Sequence, residues 1–160
     1  MGASGLLDTN EAQAQIPRMG SSEARTAQAG ARRAVLLVDH GSRRAEANAL
    51  LDEVAALVKS RLGHGAIVEP AHMEIAEPTV AQGVARCVEQ GATLIIVHPF
   101  MLAPGRHVSE DLPTLVEESA SAHEGVAFAV AAPLGTHAGV IDAVIERCQA
   151  ALADAKGHEP

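Results

Sequence analysis

A chain of 160 residues with 48% hydrophobic residues is long enough to form one domain with a substantial core. The apolar residues are mainly Ala, Val, Leu and Ile, with Phe100 and Phe128 as the only aromatic residues, a composition typical of strands that helices cover on both faces. The formal net charge of −8 and the absence of Tyr and Trp argue against nucleic-acid binding, and no apolar run approaches the roughly 20 residues of a membrane span.

Residues 1–32 are rich in Ala, Gly, Ser and Gln and lack sustained periodicity, which predicts a disordered tail. Arginines in and beside this segment favour an organelle-targeting role, whereas its acidic residues oppose one. We therefore expect a cytoplasmic protein, with a plastid location as the alternative if residues 1–32 are a transit peptide.

From residue 33 to about residue 153 the pattern alternates between strand and helix four times, and residues 154–160 are expected to fray. This alternation predicts an α/β domain with a doubly wound, mainly parallel, four-stranded sheet and helices on both faces. Pro70 in the second strand cannot donate a ladder hydrogen bond and is therefore expected at a sheet edge. The edge position favours the strand order 2-1-3-4.

The first helix is predicted over residues 43–62, with Ser42 as its N-cap and Gly63 as its end. Its apolar residues recur at helical spacing and are expected to face the core: Leu50, Val54, Leu57, Val58 and Leu62. The two cysteines, Cys87 and Cys148, fall on the apolar phase of later helices and are expected to be buried free thiols.

Two histidines follow strands that the order 2-1-3-4 makes neighbours. His40 comes directly after the first strand, and His107 lies in the loop after the third. Ligands of open α/β sheets bind beyond the carboxyl ends of the strands, at the point where the strand order reverses. Neutral imidazole binds divalent transition metals and accepts protons near neutral pH. The two loops therefore predict a divalent-metal site that also moves protons.

Several polar residues are candidates to complete this site. Glu74, at the predicted end of the second strand, could face the imidazoles with a carboxylate or could only solvate the strand end, and His72 and Glu77 are not distinguishable from it by geometry. His98, at the end of the third strand, is a weaker candidate.

Three arginines lie beside the histidine loops and make binding of a carboxylate ligand plausible. Arg43 and Arg44 are expected in the first turn of the first helix, where free backbone N–H groups favour anions, and Arg106 adjoins His107. Gly105 would let a flat ligand approach the loop backbone closely. Met101 and Leu102 could provide an apolar floor for it, or could simply pack on the sheet.

Three segments resemble the sirohydrochlorin chelatases, in particular the short single-domain form and the plant-type ferrochelatases. They are residues 38–44 (VDHGSRR), 69–78 (EPAHMEIAEP) and 99–107 (PFMLAPGRH), and the similarity extends over roughly residues 34–150. The resemblance implies a class II chelatase, a lyase that works without ATP and inserts a divalent metal into sirohydrochlorin, in sirohaem or cobalamin biosynthesis.

The resemblance also implies residue roles. His40 would be a proton acceptor and metal ligand, His107 a metal ligand, and Glu74 a catalytic residue that contacts substrate. The remaining substrate contacts would come from the loop after the third strand: Leu102, Ala103, Pro104, Gly105 and Arg106. Because the short form is similar to half of a duplicated long form, the resemblance implies a homodimer.

The metal would be a substrate, Fe(II) first and Co(II) next, with no permanently bound cofactor. The cysteine-rich tail that holds an iron–sulfur cluster in plant members is absent from this sequence, so no cluster is expected. Val108 follows His107 where plant-like members carry a large aromatic residue, which would change packing against the macrocycle.

Two other classes of protein fit the residues less well. A non-catalytic carrier of divalent metals could use the same histidines. A phosphotransferase working through a phosphohistidine could use His40, although such sites usually have an arginine before the histidine and Asp39 stands there.

Overall fold

The computed structural model describes residues 30–103, 105 and 110–156. Strands and helices alternate along this part of the chain: β1 (Arg33–Asp39), α1 (Ala45–Leu62), β2 (Ile67–His72), α2 (Val80–Glu89), β3 (Leu94–Pro99), α3 (Leu112–Ala122), β4 (Ala127–Val130) and α4 (Ala138–Lys156). Within the described residues, no helix has the length and apolar character needed to cross a bilayer.

The four strands form one parallel sheet in the order β2-β1-β3-β4. This confirms the predicted doubly wound α/β fold and its strand order. Pro70 lies on the outer strand β2, opposite Leu37 of β1, where the missing N–H can be tolerated. Since β1 and β3 are neighbours and the chain reaches β2 and β4 on opposite sides of them, the strand order reverses between β1 and β3.

One face of the sheet is covered by α2 and α3. Its core is formed by buried aliphatic side chains of β1 and β3 together with those of the two helices: Leu36, Val38, Ile95, Val97, Val84, Leu112 and Val116. Gly83 lets α2 approach the sheet, because a Cβ atom there would lie 2.6 Å from Cδ1 of Leu36. Leu36 is itself fully buried, so it has little room to move away.

The other face is covered by α1 over β1 and β2. Leu37 and Val68 of the sheet pack with Leu51 and Ala55 of α1. The predicted core face of this helix was therefore partly wrong. Val54 and Val58 are half-buried against this cluster, but Leu50, Leu57 and Leu62 are 57%, 62% and 59% exposed. The helix packs on the sheet through Leu51 and Ala55, and the other three leucines lie on its flank.

The helix ends differ in detail from the prediction. Gly63 ends α1, as expected, in a positive-φ conformation (φ 92°). Ser42 is not the N-cap of α1, because the helix begins at Ala45 with Arg44 in the cap position and no side-chain cap bond. Ser42 instead accepts a hydrogen bond from the backbone N–H of Arg44 (3.1 Å).

The last helix, α4, is the least packed element of the described chain. Of residues 138–155 only Val140 is partly buried, and the others are exposed. Cys148 is therefore exposed and not buried as predicted, whereas Cys87 on α2 is buried. The helix also continues through residues 154–156, where the sequence predicts fraying.

Candidate functional site

The carboxyl end of the sheet places His40 where the strand order reverses. Asp39 is the last residue of β1, so His40 is the first residue beyond the strand, and it is exposed. The neighbouring β3 ends at Pro99, and the N–H of Phe100 still donates to the carbonyl of Val38 (2.7 Å). The start of the β3 loop is thus held beside the start of the His40 loop.

The chain that follows β2 fixes the backbone of His40 from the other side. The N–H of Met73 donates to the carbonyl of Asp39 (2.9 Å), and the N–H of Glu74 donates to the carbonyl of His40 (3.1 Å). Although β2 itself ends at His72, these bonds continue the pairing for two more residues. Glu74 is exposed, and its backbone lies beside that of His40.

This close approach depends on Gly41. Its φ is 80°, which L-residues with a side chain rarely adopt, and a Cβ atom there would lie 2.1 Å from the carbonyl oxygen of Glu74. The same atom would lie 3.1 Å from Cβ of His72. The glycine of the His-Gly-Ser segment therefore allows the two loops to touch.

Asp39 and His72 form a polar pair beneath this loop. They are register partners at the ends of β1 and β2, and Nδ1 of His72 lies 2.5 Å from Oδ1 of Asp39. The same carboxylate oxygen accepts the N–H of Gly41 (2.8 Å), and the N–H of His72 donates to the carbonyl of Pro78 (2.8 Å). His72 is 2% exposed, so its ring is part of the support for the His40 loop and is not a surface ligand.

The pair could have been found from the sequence by one signal. Asp39 and His72 are the last residues of two predicted neighbouring parallel strands, and such residues share one edge of a sheet. From the sequence alone, Glu74, His72 and Glu77 were equivalent candidates, and Asp39 was given no structural role.

Asn48 fastens the far end of the His40 loop to α1. Its side-chain oxygen accepts the N–H of Ser42 (2.8 Å), and its amide nitrogen donates to the carbonyl of Ser42 (2.9 Å). The loop is thereby held at both ends, by Asp39 on the sheet and by Asn48 on the helix.

Ile75 follows Glu74 in a conformation that is unusual for its residue type. Its φ is 67°, and the N–H of Ala76 donates to the carbonyl of Glu74 (2.6 Å), so the backbone makes a tight turn around it. A β-branched residue at positive φ is a genuine outlier, and Ile75 is also 65% exposed. Ile75 is therefore an exposed apolar residue with an unfavourable backbone conformation, and it lies directly beside the His40 loop.

The other predicted site residues are placed as follows. Arg43 and Arg44 precede α1 and are exposed; the expectation that they occupy its first turn was wrong, because the helix starts later. Leu102 is 61% exposed, and Ala103 and Gly105 are exposed. Pro104, Arg106, His107 and Val108 lie outside the described residues, and with them the predicted second imidazole.

Among the described residues there is no group of three or more His, Cys, Asp or Glu side chains able to hold a metal ion. His98 points to the α1 side of the sheet, since it is the register partner of Leu37, and its Nδ1 is a buried atom with no hydrogen-bond partner. Glu77 accepts a hydrogen bond from Gln82 (3.5 Å) in the first turn of α2.

A cavity of about 310 Å³ adjoins Glu74 on the α3 side of the sheet. It is lined by Met73 and Glu74 from the loop after β2, and by Asp111, Thr114 and Leu115 from the start of α3. The cavity next to the His40 loop is therefore lined by two carboxylates, Glu74 and Asp111, and by the apolar side chains of Met73 and Leu115.

The loop after β3 is tied to the chain that leads into α4. The N–H of Leu134 donates to the carbonyl of Met101, and the N–H of Gly135 donates to the carbonyl of Leu102 (2.9 Å each). The segment between β4 and α4 thus runs back across the carboxyl end of β3.

Several known proteins are similar to this chain in sequence. The chain is 43% identical over 123 residues to the chloroplastic sirohydrochlorin ferrochelatase of Arabidopsis thaliana, an alignment that covers 77% of this chain and 54% of the relative. A sirohydrochlorin cobaltochelatase of Priestia megaterium is 32% identical over 117 residues, which cover 73% of this chain and 38% of the relative. The chain therefore spans about half or less of the length of these relatives.

A solved structure of the same fold is the sirohydrochlorin chelatase SirB of Bacillus subtilis subspecies spizizenii in complex with cobalt. It is 32% identical and superposes with a TM-score of 0.64, covering 74% of this chain and 50% of that one. The family model described as CbiX matches residues 34–151, which include all four strands of the sheet and the His40 loop. The chain therefore belongs to the CbiX family.

Proposed function

We propose that this protein is a sirohydrochlorin chelatase, a lyase that inserts a divalent metal without ATP, with Fe(II) as the first candidate and Co(II) as the second. The observation that carries the proposal is the position of His40, which is exposed beyond β1 where the strand order reverses. The names of the relatives support the substrate, and they include both ferrochelatases and cobaltochelatases. The SirB structure with cobalt, and a second SirB structure of Bacillus subtilis with Fe3+, support iron and cobalt as the candidate metals.

The proposed reaction exchanges one divalent cation for two protons. His40 and His107 hold the metal on one side of the macrocycle, and His40, with Glu74 beside it, accepts the inner pyrrole protons as the macrocycle nitrogens take the metal. The backbone bond between Glu74 and His40 supports this division of roles, because it keeps a carboxylate and an imidazole on adjoining loops. The metal is a substrate in this reaction and not a resident cofactor.

The proposed substrate contacts lie on three loops at the same edge of the sheet. Arg43, Arg44 and Arg106 bind the macrocycle carboxylates, because guanidinium groups form paired charge-assisted hydrogen bonds with carboxylates. The loop after β3 forms the apolar and backbone surface against the ring: Leu102, Ala103, Pro104 and Gly105. Ile75 contributes a second apolar contact, which its exposure beside Glu74 supports.

The proposed biological unit is a homodimer of a domain that spans residues 33–153. A cytoplasmic location is proposed for it. Import into a plastid is the alternative, and the chloroplastic location in the name of the Arabidopsis thaliana relative supports it. Fractionation of cells that express the full chain fused to a fluorescent protein at its C-terminus distinguishes the two locations.

The test of function is anaerobic incubation of the protein with sirohydrochlorin and Fe(II) or Co(II), followed by absorbance. We expect accelerated insertion by the wild type, and a loss of about 10²–10⁴-fold in rate for His40→Ala and for His107→Ala, which is the range for removal of a proton-transfer group. His64→Ala is the control, since His64 is an exposed residue after α1 at the opposite end of the sheet.

The proposal fails if the wild type binds metal but leaves the spectrum of sirohydrochlorin unchanged, which is the behaviour of a metal carrier. The assignment of His40 fails if His40→Ala inserts metal within about twofold of the His64→Ala rate, well short of the loss expected for a proton-transfer group.

A further inference from the structure

A further histidine, His137, lies at the carboxyl edge of the sheet, on the segment that leads from β4 into α4. Two backbone hydrogen bonds, from Leu134 to Met101 and from Gly135 to Leu102, hold this segment on the loop after β3. The proposed function assigns that loop to substrate binding. His137 follows two residues after this anchor, and it is exposed.

A tight turn keeps His137 close to this anchor. The N–H of His137 donates to the carbonyl of Leu134 (3.1 Å), and the first and last Cα atoms of such a four-residue turn lie less than about 7 Å apart. Gly135, the second residue of the turn, has a φ of 52°, a conformation that glycine adopts readily because it has no Cβ atom. The backbone thus fixes His137 near Met101 and Leu102.

The imidazole of His137 caps the start of α4 through one of its two nitrogens. Its Nδ1 accepts the N–H of Gly139 (3.1 Å). The carbonyl of His137 accepts the N–H groups of Val140 and Ile141 (2.8 and 3.2 Å), which makes it the N-cap residue. A neutral imidazole carries a proton on one nitrogen and a lone pair on the other. Because Nδ1 is the acceptor, the proton is on Nε2, and this N–H is a hydrogen-bond donor on an exposed side chain.

This tautomer excludes one role for His137 and favours another. A metal ligand at Nε2 would need the lone pair on Nε2 and the proton on Nδ1, where the proton would face the N–H of Gly139. His137 is therefore suited to donate a hydrogen bond to an anion and not to hold a divalent cation. Carboxylates accept such hydrogen bonds well, because their charge strengthens the bond.

Charged residues are unevenly distributed around the carboxyl edge of the sheet. The loop after β3 (residues 99–108) and the segment before and at the start of α4 (residues 131–141) contain no Asp or Glu, and the first of them carries Arg106. By contrast, the cavity next to the His40 loop is lined by Glu74 and Asp111. A ligand rich in carboxylates is repelled by those two side chains and attracted to the donors on the β3 and β4 loops.

We propose that the Nε2–H of His137 donates a hydrogen bond to a peripheral carboxylate of the tetrapyrrole, and that this contact helps to select a macrocycle that bears carboxylates. The role rests on the proposed function, because that function supplies the substrate. His137 binds substrate and takes no part in the transfer of metal or protons. The contact is the same before and during metal insertion, so its loss raises KM without a comparable change in kcat.

The first test is the affinity of the protein for metal-free sirohydrochlorin, measured by fluorescence under anaerobic conditions. His137→Ser is the informative variant, because serine is a preferred N-cap residue and keeps an acceptor for the N–H of Gly139, but is too short to place a donor where Nε2 lies. We expect it to bind about tenfold more weakly than the wild type, near the lower end of the effect for a hydrogen bond to a charged group, with little change in melting temperature. His64→Ser, at the opposite end of the sheet, is the matched control and should bind as the wild type does.

Two results of this measurement overturn the proposal. One is wild-type affinity in His137→Ser. The other is a loss of affinity accompanied by a fall in melting temperature as large as that of His137→Ala, which lacks the cap, since the start of α4 would then explain the loss.

The second test separates substrate binding from metal handling. In the insertion assay His137→Ser should raise KM for sirohydrochlorin and keep kcat within about twofold of wild type, and its affinity for Co(II) alone should not change. A fall in kcat at unchanged KM, or weaker binding of Co(II), overturns the proposal. A wild type that binds sirohydrochlorin without inserting metal overturns only the chelatase activity, whereas a wild type that does not bind the macrocycle overturns both proposals.

Discussion

The imidazole Nδ1 of His72 lies 2.5 Å from the carboxylate Oδ1 of Asp39, across the paired ends of β2 and β1. Because His72 is buried and the same oxygen also accepts the N–H of Gly41, the pair links the sheet to the loop that carries His40. We expect His72→Leu, which roughly keeps the side-chain volume, to lower the free energy of unfolding by about 2 kcal/mol, since it removes a hydrogen bond to a charged group.

Urea denaturation of His72→Leu, Asp39→Asn and the double variant measures this coupling. The double variant should lose less than the sum of the two single losses, because the two residues interact directly. His64→Leu, at an exposed position, is the control for the substitution itself. Fully additive losses would contradict the pairing.

Alanine substitutions at Gly41 and Gly63 distinguish the cost in stability of an unfavourable backbone conformation from the cost of a steric clash with a neighbouring loop. Both have positive φ, at 80° and 92°, but only Gly41 has a backbone atom within contact distance of an added Cβ. We expect Gly63→Ala to cost about 1–3 kcal/mol from backbone conformation alone. Gly41→Ala should cost more, because the added Cβ must also displace the carbonyl oxygen of Glu74.

Chemical denaturation of both variants gives the comparison, and the chelatase assay adds a second readout. Gly41→Ala should also lose activity, because the alanine must push the His40 loop away from Glu74. Equal stabilities for the two variants would show that the loops are free to separate at little cost.

The turn at Ile75 predicts a substitution that stabilises the fold and weakens substrate binding. Asn tolerates positive φ better than a β-branched residue does, so Ile75→Asn should raise the free energy of unfolding by about 1 kcal/mol. If Ile75 contacts the macrocycle, the same variant should raise KM for sirohydrochlorin with a smaller change in kcat. Ile75→Val keeps the branching and the apolar surface and should leave both quantities near wild type. An unchanged KM in Ile75→Asn would remove this residue from the proposed substrate surface.

Cys87 predicts a loss of stability at alkaline pH. Burial, followed by the nearby charge of Glu69, raises the pKa of its thiol from 9.0 to about 12. Between these values the unfolded chain releases a proton that the folded chain keeps, so the free energy of unfolding falls as the pH rises from about 9 toward 12. Below pH 9 the thiol is neutral in both states and contributes no pH dependence.

Urea midpoints between about pH 8 and pH 11 test this expectation in a Cys148→Ser background, which leaves Cys87 as the only thiol. The urea midpoint should fall more steeply with rising pH in the Cys148→Ser protein than in the Cys148→Ser, Cys87→Ala protein. Parallel declines would show that the thiol ionises in the folded protein.

The fold was predictable because the sequence features that indicate it lie within single strands and helices. The alternation of apolar strands with amphipathic helices predicted every described strand and helix. Pro70 indicated that β2 lies at the sheet edge, which favoured the order that the structure shows. The position of His40 follows from that order. These inferences need only the periodicity of side chains and the missing N–H of proline.

The predictions that were wrong or missing concern features that depend on contacts between helices and strands. The α1 helix buries Leu51 and Ala55 in place of the predicted leucines, and the periodicity of its apolar residues did not distinguish the two faces. Cys148 was expected in the core because α4 has an apolar face, but the periodicity of a helix does not tell which surface covers that face. The pairing of Asp39 with His72 joins residues 33 positions apart and required the register of β1 and β2.

The hydrogen bonds from Leu134 and Gly135 to Met101 and Leu102 mean that the segment entering α4 and the loop after β3 cannot shift independently. A substitution at the root of α4 would therefore be transmitted to the chain just before the proposed second metal ligand. Any change in sequence that moves the start of α4 would therefore also move Met101 and Leu102, at the start of the loop that is proposed to bind substrate.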